Sequence, residues 1–87
     1  MLPGTTVERA IELALEHLLA SDIDLSDRFL VSARWCQLGP GREHGWLLEW
    51  MTEEQFVARQ DHPRLRGGGY LCVEVMDRLT VRHSFAR

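Results

Sequence analysis

The chain has 87 residues and a mass of 10.0 kDa, a size that fits one domain and excludes two cores of ordinary size. Its 45% apolar and 26% charged residues are typical of a folded globular protein and exclude intrinsic disorder as the main state. The net charge of −3 and the pI of about 5.7 lack the basic excess of nucleic-acid-binding domains. We therefore predict a single domain, residues 1–87, that binds no nucleic acid.

Membrane attachment and export are not expected. No apolar run approaches the roughly 18 residues needed to cross a bilayer, and the N-terminus lacks a basic segment followed by an apolar one. All ten basic residues are arginine, and lysine and asparagine are absent, which is typical of a GC-rich bacterial genome. The prediction is a cytoplasmic bacterial protein.

Charge is distributed unevenly along the chain. Residues 1–27 carry six acids and one arginine, a net charge of −5, whereas residues 28–87 carry seven acids and nine arginines, a net charge of +2. A separation of this kind guides a partner of complementary potential. A solvated helix face is the simpler explanation of the acidic part.

The first predicted element is an amphipathic helix of about 15 residues that ends near Ser21. Thr5 and Glu8 have the spacing of a capping box, so Thr5 is the predicted cap. Apolar residues recur at three- and four-residue steps and are expected to form the buried face. These residues are Val7, Ala10, Ile11, Ala14, Leu15 and Leu18.

A hairpin and a second helix follow. Alternation over residues 28–38 predicts a strand, turn formers fill residues 39–45, and residues 46–51 return as its antiparallel neighbour. The capping-box spacing of Thr52 and Gln55 predicts a short helix over residues 52–59. The positions of the first strand expected to face the core are Phe29, Val31, Ala33 and Trp35.

Two further alternating segments, residues 70–76 and 79–85, predict strands joined by a turn at Asp77 and Arg78. The element order is then α-β-β-α-β-β. This order favours an α+β domain in which the long N-terminal helix packs on a four-stranded antiparallel sheet.

Metal, cofactor and catalytic signals are weak. His17, His44, His62 and His83 lack the close spacing of a metal-binding pair. Gly67–Gly69 lies between a helix and a strand, the reverse of a phosphate loop, and the serines occur in no nucleophile elbow. We predict no metal site, no cofactor and no enzymatic activity.

The two cysteines, Cys36 and Cys72, fall inside predicted strands with 35 residues between them. This spacing excludes a redox Cys-x-x-Cys motif and a zinc knuckle. Buried thiols are the favoured interpretation, with a disulfide across neighbouring strands and a reactive thiol as alternatives.

The central strand carries Trp46 and Trp50 on one face and Glu49 on the other. Core packing accounts for at least one of the tryptophans. Because tryptophan is also a frequent interface anchor, a partner-binding face that holds Trp46 or Trp50 is the alternative.

With these elements in place, the chain resembles the YrhB-like family of small bacterial immunity proteins over most of its length. The resemblance rests on a helix with alanines and a terminal leucine pair, a Gly-Trp pair that starts the central strand, a following Glu-Glu-Gln-Phe segment, and a leucine and glycine before the third strand. In this chain these residues are Ala10, Ala14, Leu18-Leu19, Gly45-Trp46, Glu53-Glu54-Gln55-Phe56, Leu65 and Gly67.

The resemblance implies a non-enzymatic protein that binds and neutralises a cognate toxin encoded nearby. A small accessory or chaperone-like subunit of a neighbouring enzyme is the alternative, and a homodimer is compatible with both. A periplasmic inhibitory module would need a signal peptide, and an enzyme would have only Glu49, Glu74 and His83 as inward polar candidates. The residues expected to contact the partner are Trp46, Glu49, Trp50, Arg64, Arg66 and Tyr70.

Overall fold

A computed structural model describes residues 3–39, 43–61, 70–77 and 80–85. Its strands form one antiparallel sheet in the order β1-β2-β3-β4. The predicted α+β fold and the order α-β-β-α-β-β are confirmed. The elements are α1 Val7–Ala20, β1 Arg28–Gln37, β2 His44–Thr52, α2 Glu53–Asp61, β3 Leu71–Met76 and β4 Val81–Phe85.

The core lies between α1 and one face of the sheet, which we call the helix face. Ala10, Ala14 and Leu18 are spaced by four residues, so they form one stripe along α1, and all three are fully buried. The two alanines leave room for the helix backbone to approach the strands closely. The sheet residues of this core are Leu48, Trp50, Leu71, Val73 and Val75.

Two details of α1 differ from the sequence prediction. The N-cap is Thr6, whose hydroxyl accepts the backbone N–H of Arg9 at 3.2 Å, and the predicted cap Thr5 is wrong. The carbonyl of Thr5 accepts instead the indole N–H of Trp46 at 2.7 Å. Leu15, predicted to be in the core, is 43% exposed because the helix meets the sheet along a narrow stripe.

The alternation predicted for β1 is wrong in its first half. The pairing of β1 with β2 shifts between Leu30 and Ser32, which marks a β-bulge. A bulge adds one residue and moves the preceding residues to the opposite face. Leu30 therefore packs on the core and Phe29 is 42% exposed, whereas Ala33 packs on the core as predicted.

The face of the sheet away from α1, which we call the second face, is partly covered by α2. The ring of Phe56 in α2 packs edge-on against Phe29 at 5.6 Å, and Met51 on β2 is buried. The predicted capping box is confirmed in both directions. Gln55 donates its backbone N–H to the Thr52 hydroxyl at 3.2 Å, and its side-chain oxygen accepts the Thr52 N–H at 3.1 Å.

The Gly-Trp pair that begins β2 is explained by close packing. A Cβ atom on Gly45 would lie 2.5 Å from the carbonyl oxygen of Val75 in β3, so only glycine fits here without a backbone shift. Trp46 then reaches the start of α1 through its bond to Thr5. This pair therefore fixes both the β2–β3 approach and the position of the helix N-terminus.

Candidate functional site

α1 ends in a sharp turn, although its sequence has no glycine at that point. The backbone N–H of Ile23 donates to the carbonyl of Leu18 at 3.0 Å, and the N–H of Asp22 donates to that of Leu19 at 3.2 Å. These two bonds form a Schellman motif. Asp22 occupies its left-handed position with φ of 58°, where glycine is the usual residue. The motif turns the chain sharply and brings Ile23 back beside the helix.

This turn creates an apolar groove at the end of α1, which we call the α1 groove. Its volume is about 460 Å³, and it is lined by Leu15, Leu19, Asp22, Ile23, Asp24 and Leu25. Leu19 is 80% exposed, although it directly follows the fully buried Leu18. Leu15 and Leu19 are separated by one helical turn, so their exposed side chains form a continuous stripe.

Acidic residues border the α1 groove. Glu12 and Glu16 are exposed and lie one helical turn apart beside the leucine stripe. Asp22 and Asp24 form its other wall. Glu12 is partly neutralised by an ion pair with Arg9 at 3.0 Å. The charge asymmetry found in the sequence is therefore concentrated around an exposed apolar surface.

Asp24 is held in place by Ser26. Its carboxylate accepts the backbone N–H of Ser26 at 2.9 Å and the hydroxyl of Ser26 at 3.0 Å. These bonds, the backbone one first, hold the pKa of the Asp24 carboxyl below its ordinary value. Asp24 thus presents a fixed negative charge at the mouth of the groove.

The second face of the sheet contains a buried carboxylate. Glu49 is only 4% exposed, and its Oε1 atom accepts the hydroxyl of Ser32 at 2.8 Å. The guanidinium of Arg34 lies 3.9 Å from the same oxygen. Ser32 directly follows the β-bulge, so this cluster ties the irregular part of β1 to β2. These contacts join β1 to β2 and stabilise the sheet.

The predicted contact residues do not form one surface in the described chain. Trp50 is 4% exposed and belongs to the core, and half-buried Trp46 packs against the same core. Glu49 lies on the second face, directly opposite Cys72 in the sheet register. Tyr70 is half-buried and directly precedes β3. Arg64 and Arg66 lie outside the described residues, as do His62 and Gly67–Gly69.

The three polar candidates for an enzyme pocket are divided between the two faces of the sheet. Glu49 and Glu74 lie on the second face, where Glu74 accepts two bonds from the guanidinium of Arg82 at 3.1 and 3.3 Å. His83 lies on the helix face, opposite the buried Val73. These side chains therefore do not converge on a common substrate position.

One polar contact was not anticipated from the sequence. Nε2 of His17 on α1 and Nδ1 of His83 on β4 are 2.8 Å apart, a hydrogen bond between residues 66 positions apart in the chain. Sequence spacing gives no signal for a pair so distant. Within the described ranges, no group of three histidine, cysteine or acidic side chains is placed to hold a metal ion.

The cysteines are separate thiols. Cys36 lies on β1 and Cys72 on β3, with β2 between them, and the two half-buried cysteines form no disulfide. The alternative of a disulfide across neighbouring strands is therefore wrong for this fold.

Neither helix, within the part of the chain that the structure describes, is long and apolar enough to cross a membrane. Comparisons of the chain with protein-family models, with curated proteins and with solved structures give no match.

Proposed function

We propose that this protein is a non-enzymatic, cytoplasmic binding protein that holds a basic amphipathic segment of a partner protein in the α1 groove. The observation that carries the proposal is the exposed leucine stripe bordered by acids. Leu19 leaves 80% of its surface in water at a position where a polar residue would serve the helix equally well. Contiguous apolar surface rimmed by polar groups is typical of protein-interaction sites.

The chemistry of the groove selects its occupant. The leucine stripe favours apolar side chains at helical spacing, which is how amphipathic helices bind grooves. Glu16, Asp22 and Asp24 favour arginine or lysine at the edge of that helix. Asp24 keeps its charge because Ser26 stabilises the ionised carboxylate. A basic amphipathic helix satisfies both requirements.

Among proteins that bind a partner in this way, we propose an immunity-type protein that neutralises a cognate toxin encoded beside it. The resemblance of the Gly45-Trp46 strand and the α1 alanines to YrhB-like immunity proteins supports this choice. An accessory subunit of a neighbouring enzyme would use the same groove, but its partner would not inhibit growth.

The test is co-expression of the chain with the protein encoded next to its gene, followed by co-purification and a growth assay. Leu19→Gln removes the apolar contact and keeps a good helix former. Val57→Gln on α2 is the matched control, because Val57 is also exposed, at 49%, and lies on the other helix.

We expect co-purification and growth rescue with the wild type and with Val57→Gln. Leu19→Gln should weaken binding by about ten- to a hundredfold, the loss that follows from about 1.5–3 kcal/mol for one buried leucine. Binding of a partner that does not inhibit growth would support the accessory-subunit function. If the wild type shows no binding and no growth rescue, the proposal is contradicted.

A further inference from the structure

The hydrogen bond between two histidines joins α1 to β4 on the helix face of the sheet. Nε2 of His17 and Nδ1 of His83 are 2.8 Å apart, and the ring centres are 5.0 Å apart. The distance between the ring centres nearly equals the distance between the two nitrogens plus the distance from each ring centre to its own nitrogen. The two nitrogens therefore face each other nearly along the line that joins the rings, which is the geometry of a well-aligned hydrogen bond.

The number of protons on the pair decides whether this bond exists. A neutral imidazole has one N–H group and one bare nitrogen, whereas a protonated imidazole has two N–H groups. With no extra proton or with one, one facing nitrogen donates and the other accepts. With two extra protons, two N–H groups and two positive charges face each other, and the bond is lost. We propose that His17 and His83 form a proton-operated latch that holds α1 on β4 and opens when the second proton binds.

Groups on the neighbouring strands oppose that second charge. Val73 lies directly opposite His83 on β3 and is fully buried. The ring of Phe85 on β4 packs edge-on against His83, with centroids 6.4 Å apart. The guanidinium of Arg28 from β1 lies 5.6 Å from the centre of the Phe85 ring. The pair is thus bordered by apolar surface, with a cation beyond it.

The charged residues adjacent to the pair in sequence are directed elsewhere. Glu16 precedes His17 on α1 and is exposed. Arg82 precedes His83 on β4, so it lies on the second face, where it pairs with Glu74 at 3.1 Å. Neither of these two charged side chains therefore faces the histidine pair.

The latch acts on the part of α1 that forms the α1 groove. The carbonyl of His17 accepts the backbone N–H of Ser21 at 3.0 Å, so His17 belongs to the capped last turn. Leu15 and Leu19 lie two residues to either side of it. Opening of the latch in mildly acidic conditions therefore loosens this turn.

The direction of the pH effect follows from proton counting. As the pH falls through the histidine range, about 8 to 5, the unfolded chain takes up a proton on each ring. The folded chain takes up the second only by breaking the latch. Since the unfolded state then binds more protons, acidification lowers the stability of the fold.

The test compares unfolding at about pH 7.5 and pH 5.0, with a chelator present, for the wild type, His83→Gln and His44→Gln. Glutamine accepts and donates hydrogen bonds at both pH values without titrating. Acidification should raise the unfolding constant at least about tenfold more in the wild type than in His83→Gln, because the folded wild type binds one proton fewer than its unfolded chain over at least one pH unit of this interval. His44, which stacks on Trp35 at 6.1 Å, is the control, and its variant should behave as the wild type does.

A second measurement needs no variant. Imidazole ¹⁵N spectra of the wild type should show the coupling across the hydrogen bond between His17 and His83 at about pH 7.5 and the loss of that coupling at about pH 5.0, because two N–H groups then face each other. A coupling that persists at pH 5.0, or equal pH dependence of the wild type and His83→Gln, would overturn the latch.

Discussion

The two sides of α1 show how one helix serves both stability and recognition. Leu18 and Leu19 are neighbours in sequence and identical in chemistry, yet one is fully buried and the other is 80% exposed. The buried side follows the four-residue spacing of Ala10, Ala14 and Leu18. The exposed side repeats the same spacing at Leu15 and Leu19, without a sheet to cover it. α1 therefore has an apolar surface on two sides, and the fold buries only one of them.

Truncating each leucine in turn gives the largest expected effect and tests the difference in burial between Leu18 and Leu19. Leu18→Ala should cost about 2–5 kcal/mol of unfolding free energy, because it leaves a cavity beneath the helix. Leu19→Ala should change stability by less than about 0.5 kcal/mol, because that side chain is already in water. Chemical denaturation of both variants measures the difference. Similar losses for the two would contradict the placement of α1.

The buried side can be tested further at the link between β2 and the start of α1. Trp46→Phe removes the N–H group that the buried Thr5 carbonyl accepts, and should cost about 1–3 kcal/mol. Trp35→Phe is the matched control. Its indole nitrogen is buried without a hydrogen-bond partner among the described residues, so the same ring change there loses no bond. Thermal unfolding of the two variants should place Trp46→Phe clearly lower.

The features that the sequence predicts correctly are those that depend on interactions between residues close together in the chain. The α1 periodicity, the Thr52–Gln55 capping box and the four strands arise from neighbours a few residues apart, and they were predictable. The bulge after Leu30 was not, because one inserted residue reverses the alternation without a glycine to mark it.

The candidate site was harder to predict than the fold. The α1 groove depends on the left-handed conformation of Asp22, and the sequence does not predict this turn because it lacks the glycine that usually occupies that position. The His17–His83 bond requires α1 and β4 to be packed first. The sequence did predict the acidic character of the first 27 residues, and the structure adds the apolar surface on which those charges act.

A smaller effect on stability is expected at Asp22, in the turn that follows α1. Asp22→Gly should stabilise the fold by about 0.5–1 kcal/mol, because glycine adopts a φ of 58° without the steric cost of a side chain. Asp22→Asn should leave stability nearly unchanged, since asparagine tolerates this conformation and lacks only the charge. Denaturation midpoints of both variants check this, and a less stable glycine variant would argue against the Schellman motif.

The smallest expected effect concerns Asp24 at the mouth of the groove. Because the folded-state pKa of its carboxyl is lowered by Ser26, its contribution to stability is present above the ordinary aspartate value and is lost as the pH falls below it. Asp24→Asn should therefore show a slightly weaker loss of stability than the wild type between about pH 5 and pH 3. An identical pH dependence would show that the Ser26 bonds do not form in solution.

Binding of the partner in the α1 groove is tested most directly by amide chemical-shift changes in the ¹⁵N-labelled chain, which map the surface that the partner contacts. We predict the largest changes at Leu15, Leu19 and residues 22–25, with little change on the second face around Glu49. Added salt should weaken the binding, because the acidic rim contributes to it. A footprint centred on the second face of the sheet, with the α1 groove unchanged, would contradict the account.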